Sequence, residues 1–331
     1  MMYKSLSARA IGLKATLTEV VEAAITHGFG GIDVQIELVL PLANAMGLKY
    51  CQQIIQAADS TPGSWVLPTR WQDEDEALFQ RDLAELPELA KLAQDTGFTR
   101  VTTAVPPTSN VRPLEENLEW SKNRLQQIAD VVGECGQQLG LEYLATPTLR
   151  KDAKHEFIHT LAGLKQLKEL IARDNVGYLL DSWHWHMAGE TAADLSSLKA
   201  EEIVAIHVND APADIPNDEQ IDNVRRLPGS TGVIDINTFL QTISDTGYEG
   251  PMTAEPFAAG VRTLNKNRVV ELVSESLDRV WFRKDEIAAQ EAARAEAARL
   301  AAEAAAAVAA TAETVPAEGE PVLAEADTKE E

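Results

Sequence analysis

Across the first 283 positions, apolar residues come in short runs separated by longer, periodic segments. Eight runs are strand-like: AIGLKA (10–15), GIDVQI (31–36), SWVLPT (64–69), RVTTAV (100–105), LEYLAT (141–146), VGYLLD (176–181), IVAIHV (203–208) and PMTAEP (251–256). Most are β-branched or apolar, and all are too short for a buried helix. Between them lie helical signals. TLTEVVEAAITHG runs from Thr to Gly and DINTFLQTISDTG from Asp to Gly, the residue types that start and stop helices. RPLEENLEWSKNRLQQIADVVGECGQQLG spaces its apolar residues three and four apart, the stripe of a helix lying on a core. Strands alternating with helices predict a parallel sheet, and the number eight favours a closed (β/α)8 TIM barrel. The rival, an open doubly wound sheet, usually shows a Gly-rich phosphate loop after its first strand, and GLKATLTEV is not one.

The alternation stops near Lys284. KDEIAAQEAARAEAARLAAEAAAAVAA is almost wholly Ala, Glu and Arg, strong helix formers that pair one turn apart. It lacks the large residues of a coiled-coil seam, so a solvated extension is favoured over an oligomerisation helix, and a homo-oligomer stays an open option. TAETVPAEGEPVLAEADTKEE, from residue 311, has little to bury and reads as a disordered acidic tail. The expected organisation is a barrel over 1–283, an Ala-rich helical extension over 284–310 and the tail over 311–331. The net charge of −23 argues against nucleic acid or an anionic membrane surface as partner, because both need a basic face. No run approaches a membrane span or a signal peptide, and Cys51 and Cys135 form no metal or redox spacing. The expectation is a soluble cytoplasmic protein with two reduced thiols.

Candidate chemistry lies at the carboxyl ends of the strands, where barrels of this kind hold their sites. The stretch VGYLLDSWHWHMAG spends two of the six histidines just after a strand. Taken alone, it is equally a strand ending in a polar loop. Convergence changes that. Glu142, Asp181, His207 and Glu255 sit within apolar runs on four successive strands, where a carboxylate costs several kcal/mol (on the order of 3–5) unless paired or metal-bound. Four such residues would surround one point. Three carboxylates and one imidazole make a hard set suited to one divalent ion, Mn2+ with Mg2+ or Co2+ as alternatives. Trp71, in PTRWQDEDEA after the third strand, is a candidate apolar wall against a sugar face, and Arg70 beside it a candidate phosphate ligand.

With these motifs in hand, the chain resembles the xylose isomerase-like TIM-barrel superfamily, in particular its D-tagatose 3-epimerase branch. The resemblance spans roughly residues 10–280 and rests on LEYL with Glu142, LLDSWH with Asp181 and His184, AIHVND with His207, RRLPGSTGVID with Arg225, and GYEGPMTAEPF with Glu255. It implies that Glu142, Asp181, His207 and Glu255 hold one divalent metal. It also implies that His184 and Arg225 bind substrate oxygens, and that Glu142 and Glu255 serve as acid and base. His186 receives no role from it. The physical logic agrees: a C–H beside a carbonyl is too weakly acidic for a free carboxylate, and a metal at the carbonyl stabilises the developing charge.

Two stretches depart from the branch. LEYLATPTLR carries Thr146, Pro147 and Thr148 where the branch has an Asn-Arg pair and a second Glu, and APADIPNDEQIDNV is an acidic insertion between His207 and Arg225. Substrate recognition therefore differs while the ligand set is kept. Apurinic-site endonucleases of the same superfamily use extra early histidines, and here only His27 is available. The expected function is a metal-dependent isomerase or epimerase of a small keto sugar or keto-polyol. The first alternative is a lyase acting on a keto-inositol or 3-keto-glycoside through the same first proton abstraction. The second is a partner-dependent or non-catalytic subunit.

Overall fold

A computed structural model describes residues 2–57, 60–257, 261 and 264–312. The chain falls into two units, one ending at Phe282 and one beginning at Arg283. In the first, eight parallel strands close into a barrel: β1 (Tyr3–Ser7), β2 (Gly31–Val34), β3 (Thr61–Val66), β4 (Arg100–Val105), β5 (Gln138–Tyr143), β6 (Val176–Asp181), β7 (Ile203–Val208) and β8 (Pro251–Ala254). Each strand neighbours the next in sequence, and β8 pairs back onto β1 with Tyr3 opposite Pro251. Helices flank the barrel, the fold expected from the alternation. Thr16 and Glu19 form a capping box on the first helix, Leu17–Thr26, and the Asp235 side chain caps the helix Ile236–Asp245.

One expected strand lies elsewhere. The first strand is Tyr3–Ser7, and the run at 10–15 is a loop whose Ala10 and Ile11 are buried while Gly12 turns the chain at φ 65°. YKSLS reads as polar because its inward side faces a polar lumen. Ser5 is buried there, and Lys4 is neutralised by Asp278 at 2.8 Å, 274 residues away.

Strand alternation sets what faces where. In β5, Leu139, Leu141 and Tyr143 are buried among apolar neighbours that include Leu125, Ile128 and Val132 of the helix Leu114–Glu134. Each fully buried aliphatic side chain there contributes roughly 1.5–3 kcal/mol. Glu142, of opposite parity, lines the lumen. Deeper in the lumen Asp33 is a polar hub, accepting from Ser5 Oγ at 2.8 Å, Ser64 N at 2.7 Å and Thr253 Oγ1 at 2.5 Å. Gly63 makes room for it: a Cβ there would lie 2.2 Å from Asp33 Oδ1 and 2.5 Å from Ser5 Oγ.

The second unit contains one 29-residue helix, Lys284–Ala312, on which Arg299 pairs with Glu296 and Glu303 about a turn away on either side, each at 2.6 Å. From residue 313 the expected acidic tail lies outside the described residues. Among the described residues no helix is long and apolar enough to cross a membrane.

Candidate active site

Glu142 on β5, Asp181 closing β6, His207 on β7 and Glu255 just past β8 come together at the carboxyl end of the barrel. The register explains the convergence. Asp181 lies opposite His207 across β6 and β7, His207 lies opposite Thr253 across β7 and β8, and Glu255 N donates to Val208 O at 3.3 Å. Each of the four offers one ligand atom, and these atoms all lie within 4.8 Å of one another. Glu142, His207 and Glu255 border a cavity of about 340 Å³, lined also by Asp33, Gln72, Thr103, Asp222 and Arg225, with Asp181 behind them. That volume is at the small end of ligand pockets.

The donor set fits a divalent ion. His207 Nδ1 faces Glu255 Oε2 at 3.3 Å and Glu142 Oε1 at 3.9 Å, yet neither His207 Nδ1 nor Glu142 Oε1 has a hydrogen-bond partner among the described residues, although both atoms are buried. Buried polar atoms are nearly always satisfied, so a cluster with two orphaned atoms aimed at one point is suited to a cation. Electrostatics agree. Burial raises the Glu142 carboxyl well above the usual range, and the charges of Asp181 and Glu255 add to this, against the opposing pull of His207. Burial depresses His207, but Glu255, Glu142 and Asp181 outweigh it and push the imidazole up to about 9. For Asp181 burial is overcome by Arg225, His184 and His207, which hold its carboxyl low.

Asp181 is locked from both sides. Oδ1 accepts from Trp183 N at 2.8 Å and Asn209 Nδ2 at 3.0 Å, and Oδ2 accepts from Arg225 Nη1 at 2.7 Å. Arg225 is 1% exposed and also approaches Glu255 Oε2 at 3.4 Å and donates to Asp222 Oδ1 at 2.9 Å. His184 is fully buried beside it. Its Nδ1 accepts from Ala145 N at 3.1 Å, which puts the ring hydrogen on Nε2. Nε2 then lies 3.2 Å from Arg225 Nη2, while Asp222 Oδ1 at 3.7 Å is beyond its hydrogen-bond reach. Burial, helped by Arg225, lowers this imidazole to about 4, leaving it neutral at neutral pH.

The other residues singled out from the sequence are placed apart. Trp71 is fully buried, with Nε1 donating to Thr103 Oγ1 at 2.9 Å and its ring 6.3 Å from that of Trp120; the neighbour that lines the cavity is Gln72. The fully buried indole takes up the space beneath Thr103, and no face of it is left to form the cavity wall. Arg70 is held bidentately by Asp82, with both contacts at 2.7 Å. His186 is set 3.3 Å from Asn217 Oδ1, and Trp185 packs against Phe239 at 5.5 Å. Asp33, on β2, is a polar hub in the cavity lining that no motif in the sequence signals. Asp222 and Thr146 belong to the two divergent stretches. Their signal was an acidic insertion next to Arg225, but the sequence does not show where such an excursion returns.

Residues 21–285 match a family model described as "Xylose isomerase-like TIM barrel". The chain belongs to this family. Within it, an inosose isomerase of Halalkalibacterium halodurans is 23% identical over 205 residues, 62% of this chain and 69% of that one. A xylose isomerase domain protein of Alicyclobacillus acidocaldarius subsp. acidocaldarius is similar in structure at TM-score 0.76 and 29% identity, over 85% of this chain and 98% of that chain. The IOLI protein, solved with a bound zinc atom, is similar at TM-score 0.71 and 19% identity, over 84% and 98%, a likeness of fold. The xylose isomerase-like barrel is thus the frame in which these four side chains are to be understood.

Proposed function

We propose that this xylose isomerase-like barrel is a divalent-metal-dependent isomerase or epimerase of a small keto sugar or keto-polyol. The observation that carries the reading is the convergence of Glu142, Asp181, His207 and Glu255 on one point at the edge of a sugar-sized cavity. These four residues would hold the ion, Mn2+ in our reading, because three carboxylates and an imidazole form a hard set. When bound, such an ion supplies Lewis-acid stabilisation of negative charge at a substrate carbonyl oxygen.

The chain's own groups supply the rest. Glu142 on β5 and Glu255 just past β8, with β6 and β7 between them, are the proton carriers. One carboxylate takes the proton from the carbon beside the carbonyl, and the C–H electron pair moves to form an enediolate. The other carboxylic acid returns a proton, to the opposite face for epimerisation or to the neighbouring carbon for isomerisation. Arg225 and the neutral His184 bring N–H donors close to the same corner, suited to an oxygen that gains charge. The inosose isomerase relative supports including a keto-inositol in the substrate class.

Proton exchange followed by NMR in D2O tests the reading. Ketoses, 2-keto-inositol and 3-keto-glucosides would be incubated with metal-stripped protein, then with protein given Mn2+. Deuterium uptake beside the carbonyl is expected only with Mn2+, and Glu142→Gln and Glu255→Gln should each slow it by about 10²–10⁴-fold. Elimination products in place of an isomer would replace the reading with the lyase. Failure of the protein to bind Mn2+ at all would sink it.

A further inference from the structure

The two stretches that depart from the branch pattern meet at the cavity. The excursion between β7 and Arg225 is pinned by Asp210, which is fully buried and accepts four backbone N–H groups, from Ala211, Thr231, Gly232 and Ile234. Within it, Gln220 O accepts from Thr148 Oγ1 at 2.7 Å, and Asp222 is brought onto the cavity wall. Thr146, fully buried, receives Trp183 Nε1 at 2.8 Å. An indole N–H can only donate, so the Thr146 hydroxyl hydrogen is free to point onward, and Asp222 Oδ1 accepts it at 3.0 Å. Arg225 Nη2 donates to the same Oδ1 at 2.9 Å. Both described bonds to the Asp222 side chain use this oxygen; Oδ2 accepts none among the described residues, and the side chain keeps 25% of its exposure.

We propose that Asp222, held in place through Trp183 and Thr146, is the residue that selects the substrate, its Oδ2 accepting the hydrogen of a hydroxyl on an uncharged polyhydroxylated ketone. Asp222 touches the substrate, and Thr146 is a positioning residue. The charge of the cavity points the same way. Asp33, Glu142, Asp222 and Glu255 line it together with the exposed Arg9, Asp181 stands behind, and the buried cation Arg225 is already paired with Asp181 and Asp222. Even with a divalent ion bound and Arg9 counted, these carboxylates outnumber the positive charges, so beside Asp222 an anionic substituent would be repelled while a hydroxyl finds acceptors. Oδ2 can hold such a hydroxyl with a charge-assisted bond.

This inference rests on the isomerase reading above, and the test separates the two. The full chain, loaded with Mn2+, is assayed for deuterium uptake with neutral probes (2-keto-inositol, D-tagatose, D-fructose) and an anionic one (D-fructose 6-phosphate). Uptake should be confined to neutral probes. Asp222→Asn should raise KM roughly 10- to 100-fold with kcat within about threefold. Thr146→Val should raise KM about tenfold and Thr146→Ser should restore it. Mn2+ affinity and circular dichroism, measured on each variant, show that the metal site and fold persist. A kcat loss at unchanged KM would mean that Asp222 acts only by holding Arg225, and would overturn the inference. So would unchanged kinetics, or exchange confined to D-fructose 6-phosphate, either of which leaves the proton-abstraction reading standing. Exchange with none of the four probes by Mn2+-loaded protein would remove both.

Discussion

Replacing Arg225 by Met removes a charge while keeping an unbranched side chain of similar length, and the structure sets what that costs. The guanidinium is 1% exposed and bonds Asp181 Oδ2 at 2.7 Å, Asp222 Oδ1 at 2.9 Å and Asp222 O at 2.9 Å, with Glu255 Oε2 at 3.4 Å. Removing one partner of a buried ion pair typically costs about 3–5 kcal/mol, because the other charge stays buried and unpaired. The metal-free variant should therefore be destabilised by roughly 3–5 kcal/mol at pH 7. The loss has a pH signature. Wild-type Asp181 has a depressed carboxyl in which Arg225 is the largest favourable influence. Its pairing stabilises the fold above the unfolded-state pKa, and that contribution is lost as pH falls through the lower folded value. In Arg225→Met burial dominates, the Asp181 carboxyl rises, and the gap between the two proteins should narrow as pH is lowered from 7 toward 4. Mn2+ should narrow it too: stabilisation by a bound ion is RT ln(1 + [L]/Kd), and loss of the Arg225 charge beside Asp181 and Glu255 lowers Kd in the variant. Urea unfolding followed by tryptophan fluorescence at pH 4–8, with and without Mn2+, measures all three effects. A variant within about 0.5 kcal/mol of wild type at pH 7, the range of an ordinary surface substitution, would refute the buried pairing.

Two further outcomes are expected. Because the carboxylates around His207 hold its imidazole up to about 9, metal binding through Nδ1 must expel a proton below that pH. Apparent Mn2+ affinity should then fall by about tenfold per unit of pH below 9, more steeply if Glu142 releases its proton as well; titration calorimetry in two buffers of different ionisation enthalpy counts the protons, and a release of zero at pH 7 contradicts the ligand assignment. Trp71→Phe should lose roughly 1–3 kcal/mol of stability with the indole volume and the bond to Thr103 while KM for 2-keto-inositol stays at the wild-type value; a raised KM at unchanged stability would put Trp71 in the cavity wall after all.

The sequence by itself determined the alternation of strands and helices, and with it the barrel. Period-two and helical patterns with Thr, Asp and Gly at the boundaries are local signals, carried by neighbours in the chain. It also marked Glu142, Asp181, His207 and Glu255, because an ionisable group within an apolar run must be compensated and parity puts it on one face. Local pattern misplaced the first strand, since Lys4 looks wrong in a strand until Asp278 is beside it. It offered Trp71 as a wall, when the indole's partner is Thr103 on the next strand. Asp222 became visible only in three dimensions. Its position depends on Asp210 gathering N–H groups as far as 24 residues ahead and on a Trp183–Thr146 bond that joins the loop after β5 to the helix after β6. Such contacts are decided by chain closure rather than by neighbouring residues. The pattern of burial was written along the chain; which polar groups meet in the lumen was decided by the barrel.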